Sequence, residues 1–129
     1  MYMHHYQGRL HGPERLRVYH LALAFARQVD RALGEVGCRS ALCIQLVRPA
    51  ESIILNIAEG AAHFSPGRKR YYYQIAHGSA GECIAGLTRL AGLYPALDLR
   101  YLRRDADMIC VMLTALIQRL NETESHPPA

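Results

Sequence analysis

Glu59, His63, Glu82 and the basic triplet Arg68-Lys69-Arg70 fall within one stretch, 56–82, which reads NIAEGAAHFSPGRKRYYYQIAHGSAGE. Two carboxylates and a histidine are groups of general acid–base catalysis, provided they reach one substrate together. Glu59 and His63, four residues apart, would share a helix face and form half of a metal site. A basic triplet beside tyrosines can hold a phosphate and stack a base. The small residues Gly78, Ser79, Gly81, Ala85 and Gly86 point to something else, the close approach of two helices. Each glycine inside a helix costs about 1 kcal/mol relative to alanine, and close packing compensates that.

The elements that must position these residues read as four helices, with no convincing strand. The first spans about Glu14 to Glu35, with Pro13 before its first turn and Gly34 and Gly37 at its end. Leu16, Tyr19, Leu23, Ala26 and Leu33 mark its expected inner face. The second runs from Ser40, a plausible N-cap, to Ala62, with Leu42, Leu46, Ile53, Ile57 and Ala61 inward. Pro49 lies inside it and should kink it. The third begins after Ser65-Pro66-Gly67 and ends before Tyr94-Pro95. The fourth, about Leu97 to Asn121, places Leu102, Ala106, Ile109, Leu113, Leu116 and Leu120 at spacings of 4, 3, 4, 3, 4, an a/d seam. Short connections between such helices favour an antiparallel up-down-up-down four-helix bundle, an all-α fold. Residues 1–13 then form an irregular tail, 14–121 the bundle and 122–129 a frayed end.

From Met108 to Ile117 only Thr114 is polar. Met108, Met112 and Ala115 lie off the main seam, and a helix apolar on two sides asks for a second partner. The expected partner is another copy of the chain.

A hairpin turning near Ser65 sets residues of the second and third helices level when their numbers sum to about 130. Ser52 then faces Gly78, Arg48 faces Glu82 as a partly buried ion pair, Asn56 lies near Gln74 and Glu59 near Tyr71. A bulky side chain at Gly78 or Ser79 should part the helices. Glu59 and Glu82 end up several turns apart, too far for a shared acid–base role. A di-iron bundle needs two Glu-x-x-His segments, and the chain has none. His4, His5 and His11 could bind metal only adventitiously. No enzyme activity and no cofactor are expected.

Arg68, Lys69 and Arg70 open the third helix, where positive charge opposes the helix dipole. The bundle would bring Arg15, Arg17 and Arg119 to the same end, beside His63 and Tyr71 to Tyr73. This end reads either as a surface for RNA or DNA or as a solvated helix end. Arg100, Arg103 and Arg104 lie at the opposite end, with Asp105 and Asp107 to neutralise them, and receive no role.

The 129 residues suit one domain, and half of them are hydrophobic. The formal charge of +4 and a pI near 9.0 are compatible with an anionic partner without requiring one. All basic residues but Lys69 are arginine, which suits phosphate but also follows from a GC-rich genome. Cys38, Cys43, Cys83 and Cys110 form no Cys-x-x-Cys pair, so reduced thiols in a cytoplasmic protein are expected. No signal peptide opens the chain, and no apolar run approaches the ~20 residues that span a bilayer, so no membrane partner is expected.

The segments RLRVYHLALAFARQV, QLVRPAESIILNIAEG and YYYQIAHGSAGE, at their mutual distances, resemble the four-helix-bundle family of the 23S ribosomal RNA intervening-sequence protein, over about Leu16 to Leu120. The resemblance implies a small cytoplasmic bacterial bundle, homopentameric assembly and no enzymatic activity. Relatives act as accessory proteins of diversity-generating retroelements and bind nucleic acid. Asn56, Glu59, Gly60, Gly78, Ser79 and Glu82 fall on the family's motif positions. Arg48-Pro49 stands where the family commonly has Arg-Ala, and Ile54 where it often has proline. The resemblance therefore implies a homo-oligomeric ring; the apolar stripe itself makes Met108, Met112 and Ala115 the expected interface, and the basic end makes Arg15, Arg17, Arg68, Lys69 and Arg70 the expected place for RNA or DNA. A protein-interaction scaffold using the same ring is the alternative.

Overall fold

The computed structural model describes residues 12–37 and 41–125. His4, His5, His11, Cys38 and Ser40 lie outside them. A short 3-10 turn, Gly12–Arg15, leads into α1, Arg17–Glu35; then follow α2, Ala41–Ala62, α3, Pro66–Leu93, and α4, Arg100–Ser125. Every regular element among the described residues is helical.

The helix ends follow local chemistry. Gly37, at φ +59°, takes the left-handed conformation that stops α1, and its N–H donates to the Gly34 carbonyl at 3.1 Å. Ser65 caps α3, its Oγ accepting from the Arg68 N–H at 3.3 Å, and Pro66 fills the first position, where no N–H is needed. The Tyr94 N–H closes α3 on the Leu90 carbonyl before Pro95. Asp98 caps α4, its Oδ1 accepting from the Arg100 N–H at 3.1 Å. That turn delays α4 to Arg100 instead of Leu97, and the helix runs on past Asn121 to Ser125.

Each helix touches two neighbours: α1 and α3 both pack on α2 and α4, with no contact across either diagonal among the described residues. The core between them contains Phe25, Ile53, Ile57, Leu102, Ile109 and Leu113, all fully buried. Burying a side chain of this size stabilises the fold by about 1.5–3 kcal/mol. The α4 seam lies where its spacing puts it, with Leu116 and Leu120 only partly covered. On α1 the buried stripe is Val18, Ala22, Phe25, Val29, Ala32 and Leu33. Of the expected positions only Leu33 belongs to it. Leu16, Tyr19 and Ala26 form the flank, packed against the core from its edge. On α2, Leu46, Ile53 and Ile57 are buried as expected, but Leu42 and Ala61 are replaced by Cys43, Ala50 and Gly60. The helix is continuous through the buried Pro49.

One helix, α2, is long and apolar enough to cross a membrane by length and composition, although no single apolar run in it approaches that length. Leu46, Ile53 and Ile57 of that helix are core residues.

Candidate functional site

Three contacts set the register of α2 against α3. Leu46 meets Gly86, Ser52 meets Ser79 and Gly60 meets Tyr73. The number falls along α3 as it rises along α2, with sums of 131 to 133 instead of about 130. That small offset changes the chemistry. Ser52 faces Ser79, not Gly78, and the two hydroxyls hydrogen-bond at 2.7 Å. Asn56 Nδ2 donates to Ser52 Oγ at 3.0 Å and to the Ser52 carbonyl at 2.8 Å, so it does not engage Gln74. Ser79 is buried, and no buried polar side-chain atom among the described residues lacks a partner.

The offset also moves the tight glycines. A Cβ on Gly60 would lie 2.5 Å from Tyr73 Cε1, and one on Gly86 would lie 3.1 Å from Leu46 Cδ1. Gly78 and Gly81 face open space, so the expectation that Gly78 holds the helices close is corrected. The Arg48–Glu82 ion pair is corrected too. Both side chains are exposed and line one shallow groove, and no ion pair joins them among the described residues. Being on the solvent side of the helix pair, neither charge has lost the water that a buried pair would replace. Glu59 pairs with His63, 3.4 Å from Oε2 to Nε2, and not with Tyr71.

The basic triplet divides into three roles. Lys69 Nζ donates to the carbonyls of Gly60 and Ala61, each at 3.2 Å, in the last turn of α2, where the Gly60 carbonyl also accepts the His63 N–H at 3.3 Å. Arg70 donates to Asn121 Oδ1 at 3.2 Å and forms an ion pair with Glu124, at the C-terminal end of α4. Both cations thus meet the negative ends of neighbouring helices, which explains their place at an N-terminus they do not favour. Arg68 is exposed, with its guanidinium carbon 5.9 Å from the Tyr72 ring centre. His63 stacks on Tyr72 at 5.1 Å with the planes 2° apart, and Tyr71 meets Tyr72 edge-on. Phe64 is 98% exposed and Tyr71 56%. The site is therefore a run of planar side chains with one open arginine. Arg17 is exposed at the start of α1, with no hydrogen bond or ion pair to this cluster, and the Arg15 side chain lies outside the described residues.

Two apolar surfaces lie elsewhere. On α4, Met108 and Ala115 are exposed, with Val111 between them, while Met112 is half-buried against the core. On α2, Ile44 and Leu55 are exposed. Val111, Ile44 and Leu55 were missed from the sequence. For Val111 the signal was present, since it is spaced three and four residues from Met108 and Ala115.

Among the described residues, the Cys83 thiol is buried and that of Cys110 partly so. Burial first, then the Glu82 charge, then Cys110, push the Cys83 thiol up to about 12. Burial and Asp107 raise Cys110 as well. Thiols held protonated are poor nucleophiles. Cys43 is disulfide-bonded, which corrects the expectation that all four cysteines are reduced. No three His, Cys, Asp or Glu side chains stand together as a metal-ligand set among the described residues.

Four helices around one core, with a polar knot between two of them, define an all-α four-helix protein. Residues 14–115 match the family described as 23S rRNA-intervening sequence protein, and the chain belongs to that family. No curated protein sequence matches the chain.

Proposed function

We propose that the chain is a non-enzymatic, cytoplasmic subunit whose antiparallel up-down-up-down bundle assembles into a closed homo-oligomeric ring, a pentamer, that binds RNA or DNA at the end carrying Arg68. The observation that carries this reading is the pair of apolar surfaces on α2 and α4, two helices that do not touch. A two-fold dimer needs one self-complementary patch. Two different patches on opposite sides suit head-to-tail contacts, which close into rings. Each subunit then contributes Arg68, His63, Phe64 and Tyr71 to a repeated surface, and repetition amplifies weak stacking and phosphate contacts.

Sedimentation tests the ring. Leu55→Asp and Val111→Asp should each yield monomers, and a mixture of the two variants should recover one intact contact per pair and form a heterodimer. A parent that sediments as a monomer would refute it. Salt-dependent binding to a random single-stranded RNA tests the partner, since each phosphate contact steepens the log–log slope. Arg68→Ala should flatten it.

A scaffold without nucleic acid is the second reading. It is favoured by the engagement of Lys69 and Arg70 in the fold, which leaves one open cation in the triplet. RNA binding absent at low salt, with the ring intact, would select it. A cytoplasmic location would expose the Cys43 disulfide to reductant. Intact mass with and without reductant, after thiol trapping in cells, reads that state directly.

A further inference from the structure

The connection from α3 to α4 borders an open surface pocket of about 740 Å³ on the outside of the core. Its apolar wall is Leu87, Ala91, Leu97 and Leu99, and its rim carries Arg100, Arg103 and Arg104 with Asp98 and Asp107. The volume falls within the range of about 300–1,000 Å³ usual for small-molecule sites, which are mostly apolar with a few oriented polar groups.

The rim charges are not equivalent. Arg100 is held by Asp98 through two hydrogen bonds, Nε to Oδ1 and Nη2 to Oδ2, both at 3.0 Å. Arg103 faces Asp107, 3.5 Å from Nε to Oδ2, and its Nη1 reaches Thr88 Oγ1 at 3.5 Å. Arg104 has no hydrogen bond or ion pair among the described residues. Three guanidinium groups against two carboxylates leave one positive charge, and it belongs to Arg104. A dianion would have to break the two existing pairs, and a cation would meet net repulsion. A neutral apolar molecule would leave the open guanidinium unused.

We propose that this pocket is a binding site for an amphipathic monoanion, an acyl carboxylate, with its chain across Ala91, Ala96 and Leu97, over the buried Leu87 and Leu99, and its head on Arg104. The site is separate from the Arg68 end. Arg104 and Asn121 are 17 residues apart on α4, roughly 25 Å at the rise of an α-helix. It therefore needs neither the ring nor nucleic acid to be occupied.

Titration of the full chain with octanoate, followed by calorimetry and ligand-observed NMR, tests it, with octan-1-ol, octylammonium and acetate as controls. Octanoate should bind, more weakly as salt rises. Acetate should bind far less, because it brings no chain. Arg104→Ala should weaken octanoate by about tenfold or more, the loss of a charge-assisted contact. Arg119→Ala, an exposed arginine of the same helix outside the pocket, should leave it unchanged. Ala91→Phe fills the wall without altering charge and should abolish binding while the helical spectrum is retained. Octan-1-ol or octylammonium binding as tightly as octanoate would overturn the assignment, as would no octanoate binding or an unaffected Arg104→Ala.

Discussion

Replacing Gly60 by alanine places a methyl carbon 2.5 Å from Cε1 and 2.8 Å from Cδ1 of Tyr73. The ring is buried and its ortho and meta carbons cannot swing aside without moving the whole side chain. Overpacking of this kind costs about 1–3 kcal/mol. Alanine returns up to ~1 kcal/mol of helix propensity, and less here because α2 ends two residues later, at Ala62. The net expectation is a loss of about 1–2 kcal/mol, or roughly 3–8 °C in Tm for a domain of this size. Urea denaturation at fixed protein concentration measures it, with an unchanged slope showing that only stability moved. Gly78→Ala is the matched control. Its Cβ meets nothing within 4 Å, so it should be neutral or stabilising by up to ~1 kcal/mol. A Tyr73→Ala background should remove the penalty of Gly60→Ala, since the clash is then gone. A Gly60→Ala protein as stable as the parent, or equally destabilised without the Tyr73 ring, would refute the reasoning.

Ser79→Ala should cost about 0.5–1.5 kcal/mol, because Ser52 keeps its bond from Asn56 and loses only the 2.7 Å contact; a denaturation midpoint unchanged from the parent would contradict this. Lys69→Met should cost about 0.3–1 kcal/mol through the uncapped end of α2. Arg70→Met should cost no more than ~1 kcal/mol, and its effect should fade at high salt because the pair with Glu124 is partly exposed. Asp98 is held down at about 2, first by the side-chain hydrogen bonds from Arg100 and then by the Arg100 N–H. Its folded value lies below the ordinary carboxyl value of ~3.9, so its stabilising effect is complete above that range and is lost as pH falls through about 2. Carboxyl-carbon NMR of Asp98 should show that low midpoint, and an ordinary one would mean the cap is not formed in solution. Cys83 should resist iodoacetamide at neutral pH in the folded protein and react once unfolded.

The parts of the fold most legible in the sequence are those governed by local rules. Ser65-Pro66 and Tyr94-Pro95 bound α3 to within a residue, because capping and proline chemistry need no tertiary information. The α4 seam was readable because only one heptad phase of that helix is continuously apolar. On α1 two apolar stripes lie side by side, and which one turns inward depends on the volume that the other helices leave for Phe25. Asn56 and Ser79 both bond Ser52, a contact the sequence did not specify, and a register offset of one to three residues decides which glycine is tight and which serine is paired. The use of Lys69 and Arg70 was hidden for another reason. It depends on where α2 and α4 end, and α4 continues past the polar residues that seemed to mark its close.

The polar knot gives the α2–α3 pair something that its apolar residues do not. Two seams of Ala, Ile and Leu pack almost as well after a slip of two turns, because the heptad phase is restored. Slipping α3 by seven residues would set Tyr73 against the level of Ile53 in the core, and Ser79 against a residue other than Ser52. The first change overpacks the interior, and the second strands a buried hydroxyl at about 1–3 kcal/mol. Specificity of this kind is the best-attested use of buried polar groups between helices. The same register carries Lys69 to the last carbonyls of α2, so the knot, the tight glycine and the helix-end cation all select one alignment. That alignment leaves Arg68, Phe64 and Tyr71 outside the packing, and the surface they form is a consequence of how the two helices are locked.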